Sequence, residues 1–411
     1  MRHYDRFLFF AVLAIGSAEA RSTSIKSPAD PFVPQEYFAS AAPFLERISA
    51  KTDLELLSAV LLTIVYGISD SSGPSIDLWL YSGHAMRLAI ELGLTRPVSA
   101  WELSPREQEL RRRIWWCTYS LERNVAVRLG RVLSIRNEGI DAEWPLELDE
   151  ITPVCDTLVQ PVALNYRAGL HLVRLSRIYG DILESVYIAR PVHRPSMTIE
   201  ETLKRVWAIQ NTLVEWANSI PTIAAAQSTD FNHLTLAFHR ACLLLHRPSP
   251  SFPNQPENVH SVCLRSARAA INLTKTMLDS RTLSRTWRNF HDSFLDGLVL
   301  MFSSWASPTS TSAITSFHQA RDQDLDKCST ILLELSTCLP PNAARYVQTF
   351  DKIVMAFDSL LGIGASARSR ASMDDFLFDW SIFDQVDGFE LEQGAVEMIS
   401  LLTSGVQADP Q

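Results

Sequence analysis

At 411 residues, 46% hydrophobic and 20% charged, the chain is long enough for one large or two ordinary domains with an extensive core. Its net charge of −9, from 37 basic and 46 acidic residues, has the wrong sign for a protein that holds nucleic acid through its overall field. Six cysteines (Cys117, Cys155, Cys242, Cys263, Cys328 and Cys338) lie scattered, giving neither a zinc knuckle nor a disulfide framework; reduced, buried thiols are the reading.

In chain order, Arg2 and Arg6, the apolar run from Phe7 to Ile15 and the small-residue site Ala18-Glu19-Ala20 have the pattern of a secretory leader. The most apolar stretch, Leu54 to Ile68, is short and carries Glu55 and Ser58, so it predicts a buried helix and not a membrane span. Trp79, Gly83, Met86, Ile90 and Leu94 recur at helical spacing and stop before Pro97. Gly83 and Ala85 are small enough to let a neighbouring helix come close. Ser104-Pro105-Arg106-Glu107 then predicts a helix start with a capping box. Behind it Leu110, Ile114, Cys117, Leu121 and Val125 form a stripe predicted to press on the preceding helix.

Arg111, Arg112 and Arg113 advance about 100° each and spread over half the helix circumference, so they cannot line one nucleic-acid face. Glu109 stands four residues before Arg113, the spacing of an ion pair, and Glu122 and Arg123 lie within reach of neighbouring turns. A structural network is predicted, with Trp115 and Trp116 on different sides and at least one of them in the core.

Gly83-His84-Ala85-Met86-Arg87-Leu88-Ala89-Ile90-Glu91-Leu92-Gly93-Leu94, Glu109 through Trp116 with Glu122-Arg123, Gly130-Arg131-Val132, and Ile140-Asp141 with Pro145 follow one another in order. Together they resemble the regulatory "middle homology" domain of fungal zinc-cluster transcription factors. Val132 replaces the family's turn proline and Glu122 its commoner Asp. The family's early helix and the Tyr-Phe-Xaa-Xaa-Ala helix after it match Phe9 to Gly16 and Tyr37 to Ala41. Residues 1–20 are therefore read as a core helix that imitates a leader. A secreted or vesicular helical protein with a cleaved leader is the alternative, and an unrecognised helical enzyme a third reading.

Leu234 through Pro248 resembles the family's later His…Leu-Leu-His-Arg-Pro helix and contains His239, His246, Arg247 and Pro248. His239 and His246 share a face, with Cys242 near it, but no carboxylate or second cysteine completes a metal set, so histidines satisfied within a helix interface are preferred. Further stripes run through Leu164–Ile182, Leu203–Ala217, Cys263–Met277, Leu283–Met301, Leu325–Leu339 and Phe350–Leu361; Thr198-Ile199-Glu200-Glu201 opens one of these helices with a second capping box. Strand alternation is almost absent. The predicted fold class is all-α, a large regulatory domain of antiparallel packed helices over residues 1–361.

Residues 362–373 are small and polar and read as a linker. From Asp374 onward acids alternate with large apolar side chains, among them Phe376, Phe378, Trp380, Phe383 and Phe389, without an intervening Lys or Arg up to Glu397. Residues 374–411 are predicted to be a disordered acidic activation segment that meets a coactivator; a tail folded back to bury Phe376, Trp380 and Phe383 is the other reading.

No nucleophile elbow, phosphate loop or His-Glu-Xaa-Xaa-His helix occurs, and no enzyme is predicted. The sequence has no six-cysteine cluster, so no cofactor is expected in this chain and zinc only in a separate DNA-reading module. The resemblance implies a nuclear regulator whose body gates activity by masking the tail, by forming a homo- or hetero-dimer or by answering a small-molecule inducer held between helices, and which is recruited to DNA by a partner or by a module outside this sequence. Neither direct DNA contact nor membrane attachment is expected.

Overall fold

The computed structural model describes residues 2–23, 33–70, 76–97, 99, 101–146, 166–187, 198–225, 228–249, 251–252, 255–306, 314–360 and 398. The linker and the acidic segment lie outside these residues except for Met398, as does Cys155. Met398 is fully buried in the largest core.

Among the described residues the chain is helical, and an isolated bridge between Ser249 and Phe252 is the sole strand-like pairing. Helix α1 (His3–Thr23) packs on α2 (Pro34–Ile48) and α3 (Leu54–Ser69). Its buried residues Phe7, Ala11, Ala14, Ala18 and Ser22 fall three or four apart, one helical face. The leader-like segment is thus built into the protein, and its far end meets the second half of the chain where the Arg285 amide donates to the Ser22 carbonyl at 3.1 Å. Helix α3 is the apolar run at 54–68; Asp53 caps it by accepting from the Leu56 amide.

Helices α4 (Leu78–Glu91) and α5 (Pro105–Leu129) close a core with α3 around Leu57, Val60, Ile64, Met86, Trp115 and Tyr119. Then α6 (Tyr166–Ile182), continued by a π turn over Leu183–Tyr187, joins α7 (Ile199–Asn218), the short α8 (Ile220–Ile223) and α9 (Thr229–His246) around a second core. The third and largest core lies between α10 (Glu257–Asp279), α11 (Trp287–Ala306), α12 (Ile314–Ser336) and α13 (Ala343–Leu360). There α11 is buried along nearly its whole length. A Cβ on Gly297 would come within 2.5 Å of the Phe350 ring and 2.8 Å of Cys328 Sγ, so the missing side chain is what lets α12 and α13 close on α11.

Two sequence expectations change register in the structure. On α4 the buried residues are Ser82, Ala85, Met86, Leu88 and Ala89; Ile90 is exposed and Gly83 has open space where its Cβ would stand. Ala85 takes the close-packing role and Gly83 does not. On α5 the buried residues are Trp115, Trp116, Thr118, Tyr119, Glu122, Arg123, Val125 and Ala126; of the predicted stripe Val125 is buried, Ile114 and Leu121 pack partly buried on the first core, and Leu110 and Cys117 are exposed. The indole and phenol rings bury far more area than the aliphatic stripe, and they take the core side.

Candidate functional site

Two features stand out: a hydrogen-bonded scaffold around α5, and a cavity on its opposite side.

The scaffold begins at the capping box, where the Glu107 amide donates to Ser104 Oγ and the Ser104 amide to Glu107 Oε2, both with Pro105 at the first helical position. The helix ends at Gly130, in the left-handed conformation (φ 59°), and the chain turns back along α5. The returning segment, 131–146, is held by side chains of the helix it has just left. Glu122 accepts from the Ser134 amide at 2.7 Å, Arg123 donates to the Ile135 carbonyl at 2.6 Å, and the Trp116 indole donates to the Glu143 carbonyl at 2.9 Å. Trp144 stacks on Trp116 with ring centroids 4.0 Å apart, and Pro145 is buried. Tyr119 reaches Asn137, which in turn donates to Asp181 on α6 at 2.8 Å.

The three arginines serve this scaffold, each in its own direction. Arg111 donates to the Leu92 carbonyl and lies over Trp101; Arg112 bridges to Glu143; Arg113 pairs with Glu109 at 2.8 Å. Glu109 in addition accepts from the Leu146 amide, fixing the far end of the return. Gly93 ends α4 at φ 69°, with Leu88 buried beneath it, Arg131 lies over Trp79, and Asp141 pairs with Arg96 while its amide donates to the Thr95 carbonyl.

On α9, His246 is fully buried and its Nε2 faces Gln210 Oε1 at 2.8 Å, next to Trp207; burial pushes its pKa down to about 4. His239 is half-buried against Phe238. Arg247 donates to the Tyr187 hydroxyl at 2.9 Å, and Pro248 is buried behind it. Among the described residues no group of three His, Cys, Asp or Glu side chains could hold a metal ion. Cys242, Cys263 and Cys328 are buried on separate helices and Cys117 is exposed, a distribution that does not fit a zinc cluster.

A cavity of about 860 Å³ lies on the other side of α5, walled by α5, α6, α9 and α11 and by the ends of α1 and α3. Cys117 and Leu121, read from the sequence as core, line it with Arg113, Ser120, Asn124 and Arg128. Cys117 is exposed only in the sense that it faces this space: protein surrounds it, and burial pushes its thiol pKa up. Leu172, Val173, Leu236, Leu295 and Val299 give the opposite walls their apolar character.

One end of the cavity is charged. Asp292 accepts from Arg128 at 3.3 Å and from Arg240 at 3.2 Å, and Arg240 pairs with Asp296 at 3.2 Å. Burial works against charge on Asp292, but the two guanidinium groups outweigh it and hold its pKa well below the usual carboxylate range. Asp296 has mainly Arg240 for support, and burial raises it to about 6. These groups escaped the sequence reading, although Arg288, Asp292 and Asp296 stand at four-residue spacing on an otherwise apolar helix, a charged interior stripe that could have signalled them.

Among the described residues the fold is all-helical, with a hydrogen-bonded scaffold around α5 beside a cavity that is charged at one end. The chain belongs to the family described as the fungal specific transcription factor domain, which matches residues 2–218, just over half of its length. That match begins inside the leader-like segment. Among curated relatives, the pyrimidine pathway regulatory protein 1 of Saccharomyces cerevisiae is 26% identical over 316 residues, covering 73% of this chain and 34% of its own. The positive regulator of purine utilization of Emericella nidulans is 26% identical over 366 residues, covering 69% of this chain and 34% of its own. A Candida glabrata negative regulator of pleiotropic drug resistance is 42% identical over 99 residues, 23% of this chain and 10% of its own. The chain thus spans about a third of the length of the first two. No solved structure matches it. No helix among the described residues is long and apolar enough to cross a membrane.

Proposed function

We propose that this chain is the helical regulatory body of a nuclear transcription regulator of the zinc-cluster type, controlling a metabolic or secondary-metabolite gene set. The observation that carries this reading is the family match across residues 2–218, which takes in both the leader-like helix and the scaffold around α5. DNA is reached through a partner or through a zinc-cluster module that these residues do not contain. Residues 374–411 supply the activation segment and contact a coactivator, residues 362–373 link it to the body, and the body forms a homo- or hetero-dimer. A small inducer occupies the cavity between α5, α6, α9 and α11 and biases how the body presents the segment.

The test is a reporter assay with the full chain, and separately residues 371–411, fused to a neutral DNA-binding domain. Raised transcription from either fusion supports the reading; silence from both overturns it. A fluorescent fusion found in the medium instead of the nucleus would favour the secreted alternative.

A further inference from the structure

Arg288 lines the charged end of the cavity, one turn along its helix from Asp292. Arg128 and Arg240 share Asp292 and Asp296 between them. Arg288 has no hydrogen bond or ion pair among the described residues, although it lies one turn from Asp292 on the same helix. Its side chain is exposed and forms part of the cavity wall. The neighbouring Arg128 charge, and burial after it, push its pKa down to about 10, so it stays protonated at neutral pH.

Around Asp292 and Asp296 three guanidinium groups stand against two carboxylates, and the rest of the lining adds Arg113 and Arg247 against Glu19 and Asp230. The Arg128 charge repels that of Arg288, and an anion bound between them would relieve the repulsion. The remaining walls limit what that anion can be. Along α5 the lining runs from Arg113 to Arg128, about 22 Å at 1.5 Å per residue, and Cys117, Leu121, Leu172, Val173 and Leu295 make its middle apolar. A bare inorganic ion would leave that length unfilled.

We propose that the cavity binds an amphipathic organic anion, its carboxylate or phosphate head on Arg288 and Arg128 and its apolar body along Leu121, Leu172 and Leu295. This rests on the reading of the cavity as an inducer site and gives the inducer its chemical class. Asp292 does not repel the head, because Arg128 and Arg240 already neutralise it. Binding would tie α5 to α11 through one shared charge, joining the helices of the first core to those of the third.

The test uses the full chain and two fluorescent probes of like shape, anilinonaphthalene sulfonate, which is anionic, and the uncharged N-phenylnaphthylamine. The wild type should bind the anionic probe more tightly. Arg288→Met should weaken that probe about tenfold, the size of one charge-assisted contact, and leave the neutral probe unchanged. Leu172→Trp, which fills the cavity, should weaken both. Octanoate and octyl phosphate should displace the anionic probe, and the better competitor identifies the head group. Equal affinity for the two probes, an Arg288→Met protein that keeps its preference, or displacement by neither competitor overturns the proposal. These outcomes are independent of the reporter assay, so an inert fusion with a working anion site, or the reverse, separates the two failures.

Discussion

Glu122 and Arg123, adjacent in the chain and both fully buried, pair with each other at 2.8 Å and between them hold the backbone of residues 134 and 135. Arg123 also lies 3.8 Å from the centre of the Tyr119 ring. The pair is the hinge pin of the scaffold, since it fixes where the chain goes after α5 ends. Replacing Arg123 by Met leaves Glu122 as an uncompensated buried charge and should cost about 3–5 kcal/mol in urea unfolding. The double change Glu122→Leu with Arg123→Met removes both charges and should cost less than either single change. A double variant weaker than both would show that the backbone contacts, not the charges, carry the stability.

The motif glycines should respond in opposite directions. Gly130→Ala and Gly93→Ala place a Cβ on left-handed backbone and should each destabilise by about 1–2 kcal/mol; at Gly93 the new atom also comes within 3.1 Å of Trp101. Gly83 is inside a helix with open space beside it, so Gly83→Ala should stabilise by about 0.5–1 kcal/mol. Thermal unfolding of the three variants checks the ordering.

His246 makes stability depend on pH in a defined window. Its pKa falls from 6.5 to about 4 on burial, so between those values the unfolded chain holds the extra proton and the folded one does not. Stability from this residue is full above pH 6.5 and is lost as pH falls toward 4, by about 3 kcal/mol in all. His246→Gln should flatten that part of the curve of unfolding free energy against pH.

Gly297→Ala should destabilise by about 1–3 kcal/mol or more, because the added methyl meets the Phe350 ring and Cys328 in a core with no slack. Pairing it with Phe350→Leu should recover part of the loss. No recovery would place the strain elsewhere on α11.

Local features were legible in the residues themselves. The capping boxes at Ser104–Glu107 and Thr198–Glu201 involve groups three residues apart. The Glu109–Arg113 pair belongs to the same class, one turn of one helix. The all-helical class followed from spacing as well. Periodicity, however, says which side chains share a face and is silent about what the face meets. Leu110 to Val125 reads as a core stripe under any helical count, yet Cys117 faces a cavity that Leu121 also lines, and the aromatic residues beside them fill most of the core. What lies opposite that stripe comes from α6, α9 and α11, much later in the chain, and only packing of the whole chain decides whether they fill the space or leave it open. The same is true of Arg288: its charge is in the sequence, but its lack of an ion pair among the described residues exists only once Arg128, Arg240 and the two aspartates have been brought together and have paired with one another.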